Sequence, residues 1–268
     1  MSTRNRTPVT VRRDLEYATK TYGHHPAFHR MHRKNGIGDA LPVIYIYDSY
    51  HNKAFDWRQL LGETGTRPGK TVRGGDPSLS IRGSPADCFV LFLMVEQSHS
   101  EYARNGFDGF YTYFAADGFT YGSSSRNWPA LRRLASATGT VFVPSVGPGY
   151  VDTSVRPWNG ATTRDRRGTQ YYDTMWKKAL APVSDKKDVG IEVVSITSFN
   201  EWHEGTQIEP AAPERRRNQG KQYRNYGGDG PLAFLKRTKD WSKRLAEVNS
   251  ERASRDSPRV ITKEGYIK

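Results

Sequence analysis

Cysteine is nearly missing from this sequence, because Cys88 is the only one in 268 residues. An internal disulfide bond and a cysteine-based zinc cluster are therefore excluded. The apolar run that starts at Cys88 predicts a buried strand with the thiol as a small core side chain. No apolar run approaches the roughly 18 residues of a membrane span, and the opening Met-Ser-Thr-Arg-Asn-Arg lacks the apolar stretch of a signal peptide. These absences predict a soluble chain.

Several catalytic motifs are also missing. No G-x-S-x-G, phosphate-binding loop or G-x-G-x-x-G follows a predicted strand, so no motif supports a serine hydrolase, a nucleotide hydrolase or a dinucleotide enzyme. His203-Glu204 resembles the start of the zinc motif H-E-x-x-H, but Gln207 stands where the second histidine would be. We interpret His203 as a hydrogen-bonding member of a site or as a core histidine, and we expect no metal centre.

Positive charge is abundant. The 41 Lys and Arg residues against 28 Asp and Glu residues give a formal net charge of +13, which raises the question of nucleic-acid binding. Two basic stretches stand out: residues 1–34, and the run Arg215-Arg216-Arg217 with Lys221 and Arg224. Neither alternates with aromatic residues as a base-stacking surface does, and no zinc-finger or RNP-type motif occurs. Nucleic-acid binding is the weakest alternative, and no such partner is expected.

The composition is that of a packed domain, since 35% of the residues are hydrophobic and 12% are aromatic. Short apolar runs alternate with helix-like segments, a pattern typical of an α/β fold with a parallel sheet. We predict five strands, at residues 42–47, 89–93, 109–114, 141–144 and 193–199. The predicted helices lie near residues 11–22, 55–62, 97–105, 127–138, 169–181 and 231–248, and residues 63–86 and 209–230 are predicted loops.

Polar and aromatic residues follow four of the predicted strands, at residues 48–51, 116–118, 147–150 and 200–204. In α/β sheets and barrels, ligands bind at the carboxyl ends of the strands, so we expect these groups to share one face. The densest group contains Glu201 and Glu204, which are neighbours if the strand passes into a helical turn. Two such carboxylates can divide acid and base roles, with Trp202, Phe199 and nearby tyrosines as walls for a sugar ring. The alternative is a solvated helix start with acidic residues in its first turn.

Long strings of residues resemble glycoside hydrolase family 99, the endo-α-1,2-mannosidases. The matching strings are residues 46–50, 106–114, 117–124, 144–150, 156–159 and 195–210, and they extend over roughly residues 15–249. The resemblance implies a TIM-type (β/α)8 barrel that cleaves an internal α-1,2-mannosidic bond of glucosylated high-mannose N-glycans with retention of configuration. It further implies that the enzyme acts without metal or organic cofactor and, in animals, in the Golgi lumen.

The resemblance also implies roles for individual residues. Glu201 is expected to act as a base on the sugar's own 2-hydroxyl, giving a 1,2-anhydro sugar, and Glu204 as the general acid and base. The expected substrate-binding residues are Asn200, Trp202, His203, Tyr150, Tyr111, Tyr113, Asp48 and Tyr50.

The front of the family's barrel has no match here. Family members carry three further βα units, including a strand ending in H-I-E-P-Y, and this string does not occur in the sequence. We therefore predict a barrel lacking its first three βα units, over residues 14–250, with a basic disordered segment at 1–13 and a flexible tail at 251–268. A barrel opened in this way exposes strand edges, so the alternative is an inactive relative that at most binds glycans.

Overall fold

Consecutive strands of the chain pair side by side. A computed structural model describes residues 6–33, 38–64, 74–183, 190–211 and 225–256. Its strands are β1 (Arg30–Met31), β2 (Leu41–Ile46), β3 (Phe89–Leu93), β4 (Gly109–Tyr111), β5 (Val141–Val143), β6 (Ser145–Val146) and β7 (Ser195–Ile196). One sheet has the order β1-β2-β3-β4-β5, and β6 pairs with β7. All pairs are parallel except β1 with β2. Each of the five predicted strands thus has an observed counterpart, and β1 and β6 are unpredicted additions.

The order of the strands distinguishes two kinds of α/β fold. In a doubly wound sheet the order reverses at a switch point, whereas in a barrel each strand pairs with the next one along the chain. Here β2 to β5 follow one another without reversal, and β6 continues β5 after one residue, Pro144, before it pairs with β7. The fold is therefore a parallel-rich, barrel-like α/β arrangement.

Two strands are interrupted or shorter than predicted because of local hydrogen bonding. Pro144 has no N–H, so it separates β5 from β6. The N–H of Ser145 then donates to the side-chain oxygen of Thr112 (2.8 Å) instead of to a backbone carbonyl, and the predicted strand 109–114 ends at Tyr111. The predicted strand 193–199 is reduced to Ser195–Ile196.

Gly109 allows β4 to pack between its neighbours. A Cβ atom at this position would lie 2.5 Å from Leu91 Cδ2 and 2.5 Å from the carbonyl oxygen of Val141. Any side chain here would therefore push β3 and β5 away from β4.

The helices cover one face of the sheet. They are α1 (Pro8–Tyr22), α2 (Ala54–Leu61), α3 (Trp128–Thr138), α4 (Gln170–Leu180) and α5 (Ala233–Asp256). In α3, Pro129 occupies the first turn and Gly139 ends the helix in the left-handed conformation (φ +68°), as helix-end preferences predict. The predicted helix at 97–105 is instead a 3-10 helix, Gln97–Arg104, because its N–H groups bond three residues back, as from Asn105 to Tyr102 (2.9 Å).

The predicted domain limits change at both ends. Helix α1 begins at Pro8 after the cap residue Thr7, whose side chain accepts from the Thr10 N–H (3.3 Å), so residues 8–13 are helical and not disordered. Helix α5 continues to Asp256, six residues past the predicted limit at 250. Residues 1–5 and 257–268, and the basic run at 215–217, lie outside the described residues.

The core has two sides. Helix-facing residues such as Phe92, Phe110 and Phe142 pack against Trp57, Trp128 and Trp176 of the helices. The inner side of the sheet has a smaller cluster that includes Val43, Leu91, Tyr111, Val141 and Val143. Cys88 is fully buried, and burial raises the pKa of its thiol to about 12, so it stays neutral as a core side chain. Among the described residues, no helix has the length and apolar character that crossing a membrane requires.

Candidate active site

The segment Glu201-Trp202-His203-Glu204 forms a tight turn directly after β7. The carbonyl of Glu201 accepts from Thr206 (3.1 Å), and that of Trp202 accepts from Gly205 (3.1 Å). The turn is not extended into a longer helix, because Gly205 adopts the left-handed conformation (φ +62°), in which a right-handed helix cannot continue. The turn is tied to the strand end by the Glu201 N–H, which donates to Ser198 Oγ (2.9 Å).

Glu204 is bound to the segment that follows β6. Its carbonyl accepts from the N–H of Val151 (2.8 Å), and its Oε1 accepts from Arg156 Nη1 (3.1 Å). The main chain of Glu204 is therefore held by Val151 and its carboxyl group by Arg156, 48 residues earlier in the chain.

Asp152 joins three side chains behind Glu204. Its Oδ2 accepts from Tyr150 Oη (2.9 Å), Arg156 Nη1 (3.0 Å) and Asn159 Nδ2 (2.9 Å), and the residue is fully buried. Sequence analysis missed these contacts. Arg156 and Asn159 occur in one of the matching strings without an assigned role, and the only signal for Asp152 is its position two residues after Tyr150.

Four tyrosines line the inner face beside the carboxylates. Tyr47 and Tyr113 form an edge-on pair with ring centres 5.4 Å apart, and Tyr45 and Tyr111 form a second pair at 5.0 Å. Burial, followed by the negative charges of Glu204 and Glu201, raises the pKa of Tyr113. Both carboxylates therefore lie within electrostatic reach of Tyr113, and the strand ends after β2, β4 and β7 meet at one site.

Asp48 and Tyr50 lie at the end of β2. Tyr50 Oη donates to Asp48 Oδ1 (2.5 Å), and its ring stacks on His99 with centres 5.2 Å apart. Burial and this hydrogen bond raise the pKa of Tyr50. Asp48 also raises the pKa of Tyr111, after the larger effects of burial and of Tyr47. Asp48 and Tyr50 therefore border the tyrosine group.

Trp202 and His203 lie on the other side of the turn. They line a cavity of about 1090 Å³ between the turn and the start of α5, and neither Glu201 nor Glu204 contributes to its lining. The indole N–H of Trp202 donates to Glu209 Oε2 (2.8 Å). Asn200 is exposed. The structure thus brings seven of the ten predicted site residues to one face and directs Trp202 and His203 to a different one, with Asn200 exposed beside the turn.

Metal binding would need a group of ligand side chains. Among residues 6–33, 38–64, 74–183, 190–211 and 225–256, no three His, Cys, Asp or Glu side chains lie close enough together to hold an ion.

Comparison with known proteins assigns the family. The family model described as glycosyl hydrolase family 99 matches residues 2–247. The chain belongs to glycosyl hydrolase family 99. The match begins at residue 2, before the expected residue 15, so it includes the basic segment at the start of the sequence.

Relatives within family 99 include mammalian proteins. The chain is 42% identical over 244 residues to the glycoprotein endo-alpha-1,2-mannosidase of Rattus norvegicus, covering 91% of this chain and 48% of the rat protein. It is 42% identical over 249 residues to a human glycoprotein endo-alpha-1,2-mannosidase-like protein, covering 92% of this chain and 50% of that protein. The chain therefore spans about half the length of these relatives.

A solved family 99 structure is also similar. The GH99 endo-alpha-mannosidase of Bacteroides thetaiotaomicron shares 40% sequence identity and a TM-score of 0.76, with 91% of this chain and 64% of that chain covered. Its structure in complex with BIS-TRIS-propane gives the same identity and TM-score, with 92% of this chain and 68% of that chain covered.

Proposed function

We propose that this protein is a retaining endo-acting glycoside hydrolase that cleaves an internal α-1,2-mannosidic bond of glucosylated high-mannose N-glycans. The observation that carries the proposal is the turn after β7, which holds Glu201 and Glu204 within electrostatic reach of Tyr113. Its support is family membership together with the names of the relatives, which are endo-alpha-1,2-mannosidases. Most glycoside hydrolases use a pair of carboxylates that flank the bond to be cleaved. Aromatic rings beside such a pair can pack against a sugar ring.

In the first step, Glu201 removes the proton of the 2-hydroxyl group of the mannose to be released. The 2-oxygen attacks C1, the bond from C1 to the leaving sugar breaks, and Glu204 gives its proton to the leaving oxygen. In the second step, Glu204 takes a proton from water, the water oxygen attacks C1, and Glu201 returns its proton to the 2-oxygen as the ring of the 1,2-anhydro sugar opens. Two inversions at C1 give net retention. This scheme differs from the usual one, in which a carboxylate attacks C1 itself.

The remaining residues are proposed to bind the sugar rings. Tyr111, Tyr113 and Tyr150 offer ring faces and hydroxyl groups, and Asp48 with Tyr50 offers a hydrogen-bonding edge. Trp202 and His203 contribute by holding the turn, since they lie on its far side. Asn200, exposed beside Glu201, is proposed to contact the substrate directly.

The test is the release of a glucosyl-mannose disaccharide from a glucosylated high-mannose glycan by the purified protein. We expect Glu201→Gln to lose activity on every substrate, because the 2-hydroxyl always needs its base. Glu204→Gln is expected to lose activity on the glycan but to retain the first step when the leaving group is fluoride, which needs no proton. A folded wild-type protein that releases no disaccharide would refute the proposed hydrolysis.

A second candidate function is glycan binding without hydrolysis. Tyr45 in β2 and Tyr47 directly after it are 41% and 50% exposed, so this side of the tyrosine group is open to solvent. An open wall weakens the exclusion of water that catalysis uses but leaves the ring faces free for sugar. Calorimetric binding of the glycan, combined with no disaccharide release, would favour this candidate.

The strand order is consistent with part of a (β/α)8 barrel, and we propose that β2 to β7 correspond to its later units. The Golgi lumen stays a prediction that rests on the resemblance. Nucleic acid is not proposed as a partner, since its one argument is the net charge of +13.

A further inference from the structure

We propose that Asp152 is a positioning residue for proton transfer by Glu204, acting through Arg156. This inference rests on the proposed function, because it concerns the residue to which the acid role is given there. The geometry that carries it is one shared nitrogen: Arg156 Nη1 lies 3.0 Å from Asp152 Oδ2 and 3.1 Å from Glu204 Oε1.

Asp152 is a buried carboxylate that holds Arg156 in place. The residue is 0% exposed, and its Oδ2 accepts from three donors on different side chains, those of Tyr150, Arg156 and Asn159. Burial alone would raise the pKa of Asp152, but the bonds from Asn159, Arg156 and Tyr150 outweigh it and lower the pKa. The group is therefore an ionised carboxylate that anchors all three side chains.

Arg156 connects Asp152 to Glu204. Its side chain is 43% exposed, and a pair between exposed charged side chains usually contributes little because both ends must be immobilised. Asp152 removes this cost, since the guanidinium is already held by a buried carboxylate one helical turn earlier in the chain. Arg156 therefore presents Nη1 to Glu204 in a fixed position.

The contact restrains one oxygen of Glu204 and leaves the other for substrate. Arg156 binds Oε1, and within the described residues Oε2 accepts no hydrogen bond. The backbone of the same residue is fixed by Val151 (2.8 Å). A proton donor held at both ends keeps Oε2 directed at the leaving oxygen, and misplacement by about 1 Å costs on the order of 100-fold in rate.

Leaving groups distinguish positioning of the acid from a structural role. A sugar leaving group needs the proton from Glu204, whereas fluoride departs without one. Loss of positioning should therefore slow cleavage of the glycan and spare the glycosyl fluoride. Damage to the fold or to sugar binding should slow both.

The experiment compares kcat and KM of wild type and Asp152→Asn on the glycan and on the same disaccharide as its α-fluoride. We expect kcat on the glycan to fall about 10- to 100-fold with little change in KM, and kcat/KM for fluoride release, which reports the first step alone, to change less than about threefold. Arg156→Lys, at an exposed position, should give the same selective loss and serves if Asp152→Asn does not fold. Asp173→Asn is the matched control, because Asp173 also binds an arginine, Arg237 (2.6 Å), but on α4 away from the site.

Equal losses on both substrates, or no loss on either, would overturn the positioning role while leaving the hydrolase proposal intact. A wild-type protein inactive on both substrates would overturn the proposed function and this inference together.

Discussion

Arg166 donates from one nitrogen, Nη2, to both carbonyl oxygens of Gln207: the backbone oxygen at 2.8 Å and the side-chain oxygen at 2.7 Å. The same nitrogen also donates to the carbonyl of Gly205 (2.6 Å). The guanidinium lies over the ring of Phe234, 4.8 Å from its centre. Gln207 stands where the zinc motif H-E-x-x-H would have its second histidine, and it is instead an acceptor that fixes the Glu201–Glu204 turn to the loop before α4.

Replacing Arg166 with Met should destabilise the protein. The substitution keeps the apolar contact with Phe234 but removes the Arg166 donor from the carbonyl of Gly205 and from both oxygens of Gln207, of which the backbone oxygen still accepts from Tyr226 Oη (3.3 Å). Because hydrogen bonds to charged donors are worth about 1.5–3 kcal/mol, we expect a loss of about 2–3 kcal/mol in the free energy of unfolding, measured with urea. Gln207→Leu removes one acceptor only and should cost less. If Arg166→Met is as stable as wild type, the hydrogen bonds from Arg166 to Gly205 and Gln207 contribute nothing to the free energy of unfolding.

Gly205→Ala tests the backbone of the turn. Its φ of +62° costs an L-residue about 1–2 kcal/mol, and an added Cβ would lie 3.2 Å from the Val151 nitrogen. Gly227 has nearly the same φ (+67°) with no atom within 4 Å of an added Cβ, so Gly227→Ala isolates the cost of φ. We expect Gly205→Ala to lose more stability than Gly227→Ala and to lower kcat, because the strain moves Glu204. Equal stability loss and full activity would contradict this expectation.

Asp87 links stability to acid pH. It accepts from Arg33 Nη2 (2.7 Å) and Arg82 Nη1 (3.1 Å) near the start of β3. Burial would raise its pKa, but the hydrogen bond from Arg33 and the charges of Arg82 and Arg33 lower it. A lowered pKa contributes stability above the unfolded value, about 3.9, that is lost as the pH falls through the folded value. Asp87→Asn should therefore cost about 2 kcal/mol at pH 7 and progressively less below about pH 4, by urea unfolding. A difference independent of pH would refute this linkage.

Tyr111 links stability to alkaline pH. Burial, followed by Tyr47 and Asp48, raises its pKa above the ordinary value of about 10. A raised pKa contributes stability that is complete below the unfolded value and is lost as the pH rises toward the folded value. The free energy of unfolding of Tyr111→Phe should therefore fall less steeply than that of wild type as the pH rises above about 10. The tyrosinate absorbance should also appear at higher pH in the folded protein than in the denatured protein. Identical alkaline slopes for the two proteins would contradict the assignment.

The strands and the face they build could be predicted because the signals are local. Apolar runs such as 89–93 and polar residues directly after them, such as Asp48 and Glu201, follow from periodicity and from the rule that ligands bind at strand ends. The contacts of Arg156 with Glu204 and of Arg166 with Gln207 could not, because each joins segments that lie far apart in the chain, 48 and 41 positions respectively. Trp202 was predicted to form a wall of the sugar site, yet it lines the cavity on the other side of the turn, to which neither Glu201 nor Glu204 contributes.

The sequential order of the strands has a consequence for biosynthesis. Since β2 pairs with β3, β3 with β4, and β4 with β5, each strand that leaves the ribosome finds its partner in chain already made. The strand at the β2 end of this sheet, β1, pairs antiparallel with β2 and is only two residues long. Glu201 and Glu204 are translated after all five of these strands, so the turn that carries them forms beside a sheet whose strands have already left the ribosome.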